Sequence, residues 1–395
     1  MILQAGVQLS KYDQARWVLA TPQGRHFLIN EATSQLCQVL KESTNYVEAH
    51  HKFIKISKVS IELKIFETLV QEKLGGYGIL TEDAVALKSP PPKFLKWRLQ
   101  LISAKFAGIL ATPFQWFFTP SLFWGLFSAF FMINVFSGAI ILFQSYHQSY
   151  TLSFGQVMAL FALSNVFHEV GHIAAARTFG AKHGGMGVGI FWIFPVTYAD
   201  ISGIWVLEKK QRIIANLGGI FNELGYAAVL AICGWLTNSI PLKSIAAVIS
   251  IQSLMQLNPF MRHDGYWVLS DLTNTPNLMS KALLQARLLG QSIRQQSKKP
   301  IKFWLLGYGI INSYFLWAYL YFILTQHQEA IIHFPKQTLL LFQNWMKGDF
   351  LFGRNEQIYF LVLMFYMTAG RLLWRYILKI WHKIKIGKAN KGITS

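Results

Sequence analysis

Asn165-Val166-Phe167-His168-Glu169-Val170-Gly171-His172 lies within an apolar run over 152–177, and its reading decides the fold. A run of about 20 apolar residues is long enough to cross a bilayer as a helix. Ionisable side chains at that depth are costly, so by default they mark function. On a helix His168 and His172, four residues apart, share a face, and both imidazoles can reach one zinc ion. Glu169 stands beside them, where a carboxylate can take a proton from metal-bound water. Zinc brings the pKa of such a water to about 7, which makes hydroxide available at neutral pH. The plainer reading is two histidines packed between helices. Burying two histidines and a glutamate together without a metal is expensive, however, and this favours a ligand role.

Two histidines leave a catalytic zinc incomplete, since it takes three protein ligands and a water. The best source of the third is Leu257-Asn258-Pro259-Phe260-Met261-Arg262-His263-Asp264-Gly265-Tyr266-Trp267, at the end of another apolar run over 244–261. Pro259 breaks the helix there, and Gly265 permits a sharp backbone turn beside Asp264. Asp264 is the first choice. Asp200, Glu223 and His263 are the alternatives; Asp200 is expected to shape a hairpin and His263 to face lipid headgroups. Glu223 is an acid in a span whose role the sequence leaves unexplained.

Working outward, apolar runs near 120–144, 152–177, 212–236, 244–261, 302–325 and 357–379 predict a polytopic α-helical membrane protein of about six transmembrane helices. The whole composition agrees: 53% of the 395 residues are hydrophobic and 14% charged, against about 25% charged in soluble proteins. Met186 to Ile201 is too short and too Gly/Pro-broken for a span. It is expected to be a re-entrant hairpin, allowed at membrane depth where other protein buries it. The net charge of +19 is uneven. Residues 1–92 hold ten Lys/Arg against nine Asp/Glu, and the remainder holds 27 against nine. With both ends cytoplasmic, 23 of those 27 fall inside, and only Lys243, Lys336, Lys347 and Arg354 fall outside. An N-in, C-in integral membrane protein follows, with its basic tail on anionic lipid. A basic excess interleaved with apolar runs, without a basic face on a soluble fold, speaks against nucleic acid as a partner. No internal repeat is evident, which weakens a transporter reading. Cys37 and Cys233 match no disulfide framework and no cysteine-based zinc spacing. The first twenty residues, with Lys11, Asp13 and Arg16, are not expected to be a signal peptide.

Residues 1–92 read as a small α+β head. Trp17-Val18-Leu19-Ala20 and His26-Phe27-Leu28-Ile29-Asn30 flank a Pro/Gly turn and predict a hairpin. Helices are expected over Glu31–Leu40, Tyr46–Ile54 and Ile61–Leu74, the last stopping at Gly75-Gly76, with Pro90-Pro91-Pro92 as a stiff linker. The membrane domain then covers 93–395, with its catalytic core at about 150–275.

The pairing of His-Glu-Val-Gly-His at 168–172 with Asn-Pro-Phe-Met-Arg-His-Asp-Gly-Tyr at 258–266 resembles the site-2 protease family of intramembrane zinc metalloproteases. The resemblance implies that His168, His172 and Asp264 hold zinc and that Glu169 activates water. Pro195 to Ile201 followed by Lys209-Lys210-Gln211-Arg212, and Asp264 to Asp271, resemble the branch described as peptide zinc metalloproteases. The likeness covers roughly 150–275. Many relatives carry Gly-Pro and a nearby Asn where this chain has Leu217-Gly218-Gly219-Ile220-Phe221-Asn222-Glu223. Asn222 is therefore expected either to bond substrate or oxyanion, or to make an interhelical contact. Tyr198 and Asp200 on the hairpin are further candidates for substrate binding. The head resembles the winged-helix domains of the pyrroloquinoline-quinone biosynthesis protein D type, which implies binding of a leader peptide as an added strand. Together these imply a zinc-dependent endopeptidase in a bacterial inner (plasma) membrane. Its substrate would be a peptide or membrane protein, in maturation or export of a ribosomally made peptide, with peptide-export or peptide-modification partners. The alternative is a non-proteolytic membrane subunit of such a complex with a structural zinc site.

Overall fold

The computed structural model describes residues 2–81, 97–144, 154–191, 194–295, 301–346 and 362–381 except 364, 375 and 379. Contacts divide the chain into two units, Met1–Pro276 and Asn277–Ser395.

The first unit begins with a three-stranded antiparallel sheet of β1 (Gln8–Lys11), β2 (Arg16–Ala20) and β3 (His26–Asn30), in that order. Trp17 pairs with Ile29 and Leu19 with Phe27, so alternate residues of the predicted hairpin share a face. Three helices follow: α1 (Glu31–Lys41), α2 (Tyr46–Ser57) and α3 (Leu63–Leu74). The first two start where a side chain satisfies an orphan amide: Asn30 accepts from Thr33 N and Asn45 from Glu48 N. Leu19, Ile29, Leu36, Leu40, Phe66, Val70 and Leu74 close the core of this part. Leu80 forms a single antiparallel bridge with Leu3. The Pro90–Pro92 linker lies outside the described residues.

Beyond it come β4 (Trp97–Ile102), α4 (Ala104–Ala111), α5 (Pro120–Gln144) and α6 (Phe154–Thr178), then β5 (Met186–Phe191) and β6 (Phe194–Ala199). They lead into α7 (Lys209–Leu236), α8 (Ile240–Gln256) and α9 (Asp264–Leu272). Pro120–Ile140 and Lys209–Leu236 are long and apolar enough to cross a membrane by length and composition. Helices also stand over the expected spans at 154–178, 240–256 and 303–326; the span expected at 357–379 lies partly outside the described residues. The α6 and α7 backbones meet at Gly171 and Gly218, where a Cβ on Gly218 would come within 2.6 Å of the Gly171 carbonyl. Small residues allow this approach between apolar helices.

Met186–Ile201 does form a hairpin, with Met186 opposite Ala199 and Val188 opposite Thr197. The sequence reading missed its third strand. β4 pairs with β5, Leu99 opposite Val188, giving the order β4-β5-β6 and leaving β6 at an edge. Gly265 also needs a correction. It sits in the first turn of α9 without a positive φ, and what excludes a side chain there is the backbone of Leu257. The sharp turn is instead braced by Asn258, whose Oδ1 accepts from Phe260 N at 2.9 Å.

The second unit contains α10 (Leu278–Gln295), α11 (Phe303–Gln326), α12 (Gln328–Met346) and helical residues within 362–381. Leu320, Ile323 and Phe365 form its buried cluster, and the Tyr366 hydroxyl donates to the Ile331 carbonyl at 2.9 Å.

Candidate metal centre

The second half of α6 brings His168, Glu169 and His172 into the interior, each less than a tenth exposed. Asp264, the first residue of α9, meets them there. Asp264 Oδ2 lies 3.2 Å from His168 Nε2 and 3.4 Å from His172 Nε2, and the two Nε2 atoms are 3.1 Å apart. Three atoms on one tetrahedral zinc at bond lengths of about 2.0–2.2 Å stand about 3.3–3.5 Å from one another. The observed triangle has nearly those edges.

The proton positions point the same way. His172 Nδ1 is 2.9 Å from the Ala215 carbonyl, which can only accept, so Nδ1 carries the hydrogen and Nε2 a lone pair. His168 Nδ1 lies 3.2 Å from Glu223 Oε2, and a carboxylate there imposes the same tautomer. Among the described residues Asp264 Oδ2 is buried without a hydrogen-bond partner. Three lone-pair atoms therefore aim at one point. Such an arrangement is repulsive alone and attractive around a cation, and two imidazoles with a carboxylate suit zinc. Glycine keeps the point open, because a Cβ on Gly219 would lie 2.5 Å from Nε2 of both histidines.

Glu169 follows His168 on the helix and is buried with it. Thr197 Oγ1 on β6 donates to Glu169 Oε1 at 2.7 Å, which ties the edge strand to this carboxyl.

The other predicted residues fall outside the triangle. Asp200 accepts from the Ser202 amide and hydroxyl and shapes the turn after β6. His263 is the N-cap residue of α9. Tyr198 pairs with Gly187 within the hairpin. Asn222 Nδ2 donates to the Phe167 carbonyl at 3.2 Å, an interhelical bond between α7 and α6. Glu223, fully buried, stands behind His168 and is not one of the converging donors.

One cluster went unread. Arg212, grouped in the sequence with the basic neighbours Lys209 and Lys210, is 1% exposed. Its Nε donates to Asp271 Oδ1 at 2.7 Å, and Asn216 Nδ2 donates to Asp271 Oδ2 at 2.9 Å. The Tyr12 ring of the head lies 4.4 Å below the Arg212 guanidinium and stacks on Trp205. The available signal was Asp271, seven residues after Asp264 and so on the same side of α9.

A curated Bacillus subtilis (strain 168) protein, "Putative peptide zinc metalloprotease protein YydH", is 27% identical over 115 residues, covering 29% of this chain and 46% of that protein. The chain thus matches somewhat less than half the length of that relative. No family model matches the chain, and no solved structure matches it at a significant level. The distant similarity is thus to a protein named for zinc and peptides, and among the described residues His168, His172 and Asp264 form a set that could hold a metal ion.

Proposed function

We propose that the chain is a zinc-dependent intramembrane endopeptidase of the site-2 protease type. The observation that carries the reading is the convergence of His168 Nε2, His172 Nε2 and Asp264 Oδ2 beside Glu169. Those three residues would hold the ion, which when bound supplies Lewis acidity and a more acidic water. Glu169 takes a proton from the attacking water and returns it to the leaving amine. The Thr197 hydroxyl steadies Glu169 in that role. Among the described residues β6 is an edge strand beside Glu169, to which an extended substrate can add as a fourth strand. An extended substrate exposes the carbonyls that a helical one hides.

The finer expectations belong to the same proposal. About six spans, with the 186–201 hairpin re-entrant, sit in a plasma membrane with both ends cytoplasmic. The 1–92 head presents a peptide or membrane-protein substrate in maturation or export of a ribosomally made peptide. Support comes from the two long apolar helices, the hairpin and the distant similarity to a named peptide metalloprotease.

The test is Glu169→Gln in detergent-solubilised full-length protein with a quenched-fluorescent peptide library. Cleavage is expected to fall about 10²–10⁴-fold while zinc content by elemental analysis stays at the wild-type level. Equal cleavage by both proteins would overturn the reading, and a zinc-bearing wild type that cleaves nothing would favour the non-proteolytic subunit.

A further inference from the structure

Glu223 is an acid with no exposure, in a helix whose other buried positions are mostly apolar. Among the described residues, every neighbour that bonds it is placed to donate. Ser164 Oγ donates to Oε1 at 2.9 Å and Gln252 Nε2 to the same oxygen at 3.4 Å. Gln256 Nε2 donates to Oε2 at 3.1 Å, and His168 Nδ1 stands 3.2 Å from that oxygen. The spacing shows how the cage is assembled. Ser164 and His168 are one turn apart on α6, Gln252 and Gln256 one turn apart on α8, and Glu223 projects between them from α7. A ring of donors around an acceptor-only group explains how a carboxylate is kept in the interior.

The two histidines differ in what holds them. The partner of His172 is the Ala215 backbone carbonyl, which the fold supplies whatever the side chains. The partner of His168 is a side chain, so its ring orientation depends on one residue. A ligating imidazole whose other nitrogen donates to a carboxylate is fixed in tautomer and made more basic.

Resting on the zinc reading above, we propose that Glu223 is a positioning residue that sets the His168 tautomer and tightens the hold on the metal through that imidazole. Its oxygens point away from the converging lone pairs, so it does not ligate. Through Gln252 and Gln256 it also couples α8, which leads toward Asp264, to the histidine helix.

The experiment measures zinc dissociation constants by chelator competition on full-length wild type, Glu223→Gln and Glu223→Leu, with unfolding temperatures recorded in chelator. Glu223→Gln keeps the shape and an acceptor oxygen but loses the charge. Both substitutions are expected to weaken zinc about 10–100-fold, the leucine more, and to shift the visible bands of the cobalt(II)-loaded protein. Glu223→Gln should keep the metal-free unfolding temperature of the wild type, and it decides the matter should the leucine variant not fold. A wild-type zinc affinity in Glu223→Gln overturns the proposal, as does a lowered metal-free unfolding temperature with zinc affinity intact, which would make Glu223 a helix tie alone. A wild type that binds no zinc would instead overturn the metal reading beneath it.

Discussion

At Gly219 a single methyl group separates an open donor triangle from a filled one. The Cβ of an alanine would stand 2.5 Å from Nε2 of His168 and of His172, a distance that leaves no room for an ion between them. Gly219→Ala is therefore expected to lose most of its zinc by elemental analysis. In a helix interior alanine is favoured over glycine by about 1 kcal/mol, so the loss cannot be blamed on a weakened α7. A fully zinc-loaded Gly219→Ala would put the metal elsewhere. At this scale the sequence was legible where chemistry is local. The one-turn spacing of His168 and His172 with Glu169 between them needs only a helix to become half a site. Asp264 required a guess that two distant segments end at similar depth. Glu223 was visible as a misplaced acid, but its partners come from two other helices and no local pattern announces them.

Between elements, the position of Asp264 depends on how α9 is pinned to α7. Asp264 and Asp271 lie two turns apart on α9, and Asp271 is bonded by Arg212 and Asn216 of α7. Burial raises the Asp271 carboxyl above its ordinary range, while the Arg212 guanidinium opposes that rise. Removing Arg212 would leave a buried carboxyl without its charge partner. Breaking such a pair from one side costs about 3–5 kcal/mol. Arg212→Ala and Asp271→Ala are each expected to lower the unfolding temperature in detergent and to loosen zinc through Asp264. An unchanged unfolding temperature would show that the pair does not fasten α9. Lys209-Lys210-Gln211-Arg212 reads as one solvated basic run because charge patterning does not say which member turns inward. The Tyr12 ring against Arg212 carries the contact into the head; burial pushes its phenol up to about 12, so it remains neutral across the physiological range. The hairpin was legible from its Gly/Pro-broken apolar pattern. β4 was not, since it lies some 85 residues from its partner β5 and six residues carry too little alternation to be seen.

Across the whole molecule, the centre exists only if residues nearly a hundred positions apart are brought together, α6 supplying the imidazoles and α9 the carboxylate. Composition and apolar runs pointed to a membrane protein from the outset, and two described helices meet the length and apolarity a crossing needs. The distant similarity to the Bacillus subtilis protein covers 29% of the chain. The most direct test is the zinc content of purified full-length protein, wild type against Asp264→Ala, by elemental analysis after brief dialysis. The account predicts about one zinc per wild-type chain, as a three-ligand catalytic site requires, and its loss from Asp264→Ala. Wild type without zinc, or Asp264→Ala with its full complement, would contradict it.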